Sequence, residues 1–163
     1  MTRKSTLRTA FCLIGLLCPA ATLAQSTSTS PICFNVEGTV TLHTFSGSGC
    51  TSPVGVCGTA EWRGDIRATS SFVASSALPT VDTAVTGVVA TTADAQLTLR
   101  GGTLATKDAV VLRTTGNGDF AEIDTIVGGT GAFANVTGAW RATGTTQGDT
   151  GQGTYKGQLC VTH

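Results

Sequence analysis

From residue 32 to residue 42 the even positions carry Ile, Phe, Val, Gly, Val and Leu, while the odd positions carry Cys, Asn, Glu, Thr and Thr. Alternation with period two is the mark of a strand with one face turned to a core. Residues 60–68 alternate in the same way, with Glu61, Arg63, Asp65 and Arg67 all on one face. Further strands are expected over 84–91, 95–100, 110–114, 120–127, 137–144 and 153–162, which makes eight. No stretch after the first 24 residues has the 3.6-residue periodicity of an amphipathic helix. Gly116-Asn117-Gly118-Asp119 is the strongest hairpin signal, because Asn-Gly tolerates the left-handed angles that tight turns use. Gly101-Gly102 and Gln147-Gly148-Asp149-Thr150-Gly151 mark two more reversals.

Short strands at even spacing, separated by turn residues, predict an antiparallel meander. Such a sheet must hide its edges, and closing it on itself does so. The expected fold is therefore all-β, an eight-stranded antiparallel up-and-down β-barrel of calycin-like form. Eight strands enclose a lumen that side chains fill or one small ligand occupies. An outer-membrane barrel of this length would show aromatic girdles, but aromatics are 6% of the chain. Gly138-Ala139-Trp140 falls too late for the early Gly-x-Trp of lipocalin or avidin-like barrels. Cys57, Trp62 and Cys160 fit the cysteine–tryptophan spacing of an immunoglobulin-like sandwich poorly.

The N-terminus changes the picture. Arg3, Lys4 and Arg8 precede a short apolar run from Phe11 to Leu17, and small residues follow up to Ala24. This reads as a secretory signal over 1–24, cleaved before Gln25. The run is too short for a helical membrane span. A Ser/Thr-rich leader over 25–30 and a single barrel domain over 31–163 complete the expected organisation, exported to a periplasmic or extracellular location. Four cysteines outlast the signal: Cys33, Cys50, Cys57 and Cys160. An even count in an exported domain points to two disulfides, for which the sequence allows three pairings. Cys50–Cys57 closing a local loop and Cys33–Cys160 joining first to last strand is the favoured set. No metal is expected, since the cysteines and histidines lack zinc-ligand spacing.

Formal net charge is +0 and charged residues are 12% of the chain, which argues against nucleic acid as a partner. Two stretches satisfy G-x-G-x-x-A, at 116–121 and 129–134, but strands rather than helices are expected after both, so neither is a dinucleotide site. His43 continues the polar face of the first strand, without a nucleophile elbow to serve. Glu37, Glu122 and Asp124 are the candidate functional carboxylates. One turned into the lumen would be desolvated and could act as a base or orient a ligand. Charged strand residues ordinarily face water, and that is the expectation for each.

The stretch Ile126-Val127-Gly128-Gly129-Thr130-Gly131-Ala132-Phe133, running on to Gly138, resembles the signature shared by allene oxide cyclases and dirigent proteins. Gly128, Gly129, Thr130, Gly131, Phe133 and Gly138 carry the likeness, with support from Gly153-x-Tyr155-x-Gly157. The resemblance implies an eight-stranded barrel, often oligomeric, that confines a reactive molecule in one conformer without a cofactor. The matched residues are turn and packing residues, so they imply a fold rather than an active site. The expected function is binding of a small, largely apolar molecule in the lumen, with steering of its cyclisation or isomerisation. The alternative is a non-catalytic ligand-binding or structural barrel.

Overall fold

A computed structural model of the chain describes residues 30–79 and 87–162. The expected signal, residues 25–29 of the leader, the first residues of the strand expected over 84–91 and His163 lie outside them. Eight antiparallel strands follow one another around a closed barrel: β1 (Ile32–Phe45), β2 (Cys57–Gly64), β3 (Ala68–Pro79), β4 (Val88–Leu99), β5 (Gly102–Arg113), β6 (Asp119–Gly129), β7 (Val136–Gln147) and β8 (Thr150–Val161). The last strand closes on the first, in a ladder running from Ile32 opposite Val161 to His43 opposite Thr150.

The count of eight is as expected, but its members differ. Within 60–68 the alternation is real, and Ala60, Trp62 and Ile66 are buried. Yet the chain reverses there, at Gly64 with φ of +124°, a conformation that side-chain-bearing residues rarely adopt. Asp65 caps the reversal. Its Oδ2 accepts from the Glu37 N–H at 2.9 Å, and its own N–H donates to the Glu37 carbonyl at 3.1 Å. Strand β3 has no counterpart in the expected set. Its sequence is rich in Ser and Ala, which resembles a linker, and a bulge between Ala74 and Ser76 breaks its alternation. The strands expected over 84–91 and 95–100 are one strand, β4. Strand β5 begins eight residues before the expected 110, across an adjacent Lys107-Asp108 pair that reads as loop.

The two ends of the barrel are filled differently. Towards the end where β1 starts, Trp62 packs edge-on against Trp140 and Tyr155, with ring centroids 5.7 and 5.4 Å away. The aromatics fit because glycines face them. A Cβ on Gly157 would lie 2.4 Å from the Trp140 Cβ, and one on Gly38 would lie 2.6 Å from the Tyr155 hydroxyl. That hydroxyl accepts from the buried Ile66 N–H at 2.8 Å, tying β8 to the β2–β3 turn. Tyr155→Phe strands this N–H away from water, and urea denaturation is expected to show a loss of about 1–3 kcal/mol.

The glycine-rich corner sits at the same plugged end. Gly128 and Gly129 finish β6, and a single 3-10 turn, Gly131–Phe133, precedes β7. The 3-10 turn lies within the second G-x-G-x-x-A stretch, and a strand, β7, follows it as expected. The Thr130 hydroxyl lies 2.8 Å from that of Thr103 and accepts its N–H at 3.1 Å. A Cβ on Gly131 would meet the Gly101 carbonyl at 2.2 Å, so only glycine lets the corner close. Phe133 packs against the core from outside it.

Both favoured disulfides are present. Cys33 and Cys160 are directly opposed across β1 and β8, with Cα atoms 4.0 Å apart, and Cys50–Cys57 closes the loop before β2. The outward row of β8 is Thr150, Gln152, Thr154, Lys156 and Gln158, all exposed. A barrel in lipid needs an apolar band there. Among the described residues no helix is long and apolar enough to cross a membrane.

Candidate functional site

Small residues recur along the inward rows of β2, β3 and β4: Ala60, Ser70, Ala74, Ala77, Ala93 and Ala95. Side chains this short cannot meet across an eight-stranded barrel. They leave a cavity of about 300 Å³ towards the end opposite the aromatic plug. That volume lies at the low end of the range for small-molecule sites. Its walls also include Val40, Leu42, Phe72, Leu97, Val110, Leu112 and Phe120. Val54 and Val56, carried by the loop that Cys50–Cys57 closes, stand where it opens.

Three carboxyl groups interrupt this apolar lining: Asp108, Glu122 and Asp124. Strand register brings them together. Asp108 on β5 is directly opposite Asp124 on β6, and Glu122 lies two residues from Asp124, on the same face. One oxygen from each lies within 4.8 Å of the others. Asp108 and Asp124 are buried at 5% and 2% exposure, while Glu122 is reached through the cavity. No Lys, Arg or His lines the cavity among the described residues. The nearest cation in sequence, Lys107, points outwards and pairs with Asp94. Together with a hydrogen bond from Ser75, that pairing holds the Asp94 carboxyl below its ordinary value.

Like charges this close, away from water, cannot all ionise. Burial, followed by the charges of Glu122 and Asp108, pushes Asp124 up to about 11, so it keeps its proton. Burial, with the Asp108 charge behind it, raises Glu122 to about 7. Asp108 is raised too, chiefly by burial, against the easing effect of Thr106 and Asp124. The cluster thus holds a carboxylic acid that donates at neutral pH beside a carboxylate poised to accept. Its polar atoms are not fully used. Thr106 Oγ1, Asp108 Oδ1, Asp124 Oδ2 and the indole N–H of Trp140, which stands opposite Asp124 on β7, have no hydrogen-bond partner in the chain. Thr106 is near enough to favour ionised Asp108, but its hydroxyl makes no bond of ordinary geometry.

Of the candidate carboxylates, Glu122 and Asp124 face inwards, against the expectation that they would meet water. The alternating row Phe120, Glu122, Asp124 and Ile126 is the lumen face, and Ile123 and Val127 are the exposed ones. Glu37 lies outside the barrel, 3.2 Å from Lys156, with both side chains about two-thirds exposed, and does not reach the cavity. His43, one residue past Leu42, is on the outer face. Gly128, Gly129, Thr130, Gly131, Phe133 and Gly138 all lie away from the cavity lining. Asp108 is the site residue that sequence reasoning missed. Its signal was the row Leu104, Thr106, Asp108, Val110 and Leu112, visible only once β5 is extended back across Lys107.

The arrangement can do two things chemically. It can pass a proton to and from a bound molecule, and it can hold a cation, organic or metallic, against three oxygens. No protein-family model matches the chain, and neither a curated protein nor a solved structure matches it.

Proposed function

We propose that the mature protein is an exported barrel that takes a small, largely apolar molecule into its lumen and steers its cyclisation or isomerisation without a cofactor. The observation that carries the reading is the carboxyl cluster at the floor of an otherwise apolar chamber. Apolar walls favour a hydrocarbon body by removing it from water, and the narrow cavity restricts the conformers it can adopt. Protonated Asp124 is placed to donate to a developing negative charge, and Glu122 to accept a proton from carbon or oxygen. Two titrating groups pushed apart in acidity by their surroundings are the arrangement that acid–base rearrangement needs. Export fits the two disulfides, which persist in oxidising compartments. The likeness of residues 126–138 to the allene oxide cyclase and dirigent signature supports the barrel scaffold and leaves the reaction to be argued from the cavity.

Mass spectrometry of small molecules carried by the natively purified domain tests this. The wild type is expected to carry an apolar molecule, and Ala95→Phe, which fills the cavity from β4, is expected to lose it while remaining folded. A wild type that emerges empty from several hosts would count against the reading. Steering is tested by returning the captured molecule, or its isomers, to wild type and Glu122→Gln and following isomer composition. Equal rates in both proteins leave a carrier and remove the isomerase.

A further inference from the structure

Three oxygens at the cavity floor, each with lone pairs to offer, have no partner within the chain: Thr106 Oγ1, Asp108 Oδ1 and Asp124 Oδ2; the unpaired indole N–H of Trp140 stands behind Asp124 and does not line the cavity. The residues carrying these oxygens are 2%, 5% and 2% exposed, and the atoms are approached by way of the cavity they line. Buried polar atoms left unpaired are costly, and where several converge on a cavity they point to a missing donor. The missing group must bring several N–H or O–H donors. Positive charge fits there as well, because the cavity lining offers three carboxyls and no basic side chain among the described residues, and a cation among them would favour their ionised forms. A primary ammonium has both properties, with three donors and one charge in a compact head.

We propose that the ligand is a lipophilic primary amine, its ammonium seated among Thr106, Asp108, Glu122 and Asp124 and its hydrocarbon body filling the chamber above. The inference rests on the reading that the lumen takes a small apolar ligand, and it adds the chemistry of the polar end. The geometry favours an amine over the other cation the cluster could hold. A calcium ion takes 6–8 oxygen ligands, which three carboxyls and one hydroxyl supply by themselves only if most of the carboxyls bind through both oxygens. An apolar chamber of about 300 Å³ directly above the carboxyls has no role in holding a bare ion. It matches a chain or ring attached to the charged head. A carboxylate ligand of the same length is repelled, and an alcohol offers a single donor to three acceptors.

Isothermal titration calorimetry of the ligand-free mature domain with octylamine, 1-octanol and octanoate decides the matter. Octylamine is expected to bind about tenfold or more tightly than 1-octanol, the scale of one charge-assisted hydrogen bond. Octanoate is expected to bind weakest. In the Asp108→Asn/Glu122→Gln double variant the amine preference should fall towards unity while 1-octanol binding persists, which also shows that the variant is folded. If octylamine and 1-octanol bind the wild type equally, the amine proposal fails and the apolar-lumen reading stands. If none of the three binds, both fail. If calcium or magnesium binds and excludes octylamine, the cluster is a metal site and the amine proposal is overturned.

Discussion

Glu122→Gln is expected to unfold at a higher temperature than the wild type above neutral pH, and at nearly the same temperature near pH 4. The sign follows from where the proton sits. Burial and the neighbouring Asp108 raise Glu122 from its ordinary 4.5 to about 7 in the folded chain. Below about 4.5 the group is protonated in both folded and unfolded chains and its burial is tolerated. Between 4.5 and 7 the unfolded chain releases the proton while the folded chain retains it, so stability drains away as pH rises. Above 7 the loss is complete, on the order of 3 kcal/mol for a shift of this size. Glutamine has no proton to lose and escapes the penalty. For a domain of this length that difference corresponds to roughly 10 °C in melting temperature. Asp124→Asn should stabilise over a wider range, since Asp124 is raised further and holds its proton to higher pH. The measurement is thermal unfolding of ligand-free protein from acid to mildly alkaline pH. Parallel curves for wild type and Glu122→Gln would show that these carboxyls carry no such burden.

A fold that bears this instability at neutral pH has placed three acids where apolar residues would pack more favourably. Sites that oppose stability in this way are commonly functional. They are also the sites where sequence patterning is least informative. The alternation of β1, β6 and β8 is legible because large apolar residues mark one face, and in an antiparallel ring the register then follows. Strand β3 and the middle of β4 are illegible because, Phe72 apart, their inward positions there are mostly Ala and Ser. Those small residues create the cavity, so the part of the sheet hardest to read is the part that makes the site. Glu122 and Asp124 share a face in the sequence, but Ile123 and Val127 mark the other face as equally apolar. Only closure of the barrel decides which one is inside. Asp108 is hidden by Lys107, since two adjacent charges resemble a loop until each is assigned to its own side of a strand. The glycine signature, by contrast, stands out in the sequence and proves to be remote from the cavity, because glycine is demanded by backbone crowding at a corner.

Removing the Cys33–Cys160 bond by paired serine substitution is expected to cost more stability than removing Cys50–Cys57, and the two losses should differ in kind. Cys33 and Cys160 are 127 residues apart in sequence, whereas Cys50 and Cys57 are separated by 7. A cross-link restricts the unfolded chain in proportion to the logarithm of the loop it closes, which gives about 5 kcal/mol for the long loop and about 2.5 kcal/mol for the short one. The β1–β8 ladder does not replace the long-range bond, because it forms only in the folded state and leaves the unfolded chain unrestricted. Urea denaturation of the two variants checks the ordering. Ligand binding should show the reverse ordering. The seam bond lies at the plugged end, distant from the cavity opening, so a folded Cys33→Ser/Cys160→Ser variant should bind octylamine or 1-octanol as the wild type does. The local bond fixes the loop that brings Val54 and Val56 to the opening, so its loss should weaken binding while leaving most of the stability in place. Equal effects of both bonds on both measurements would mean that seam and opening do not behave as separate parts of the barrel. The expected crossover would assign one bond to keeping the cylinder closed and the other to shaping its entrance.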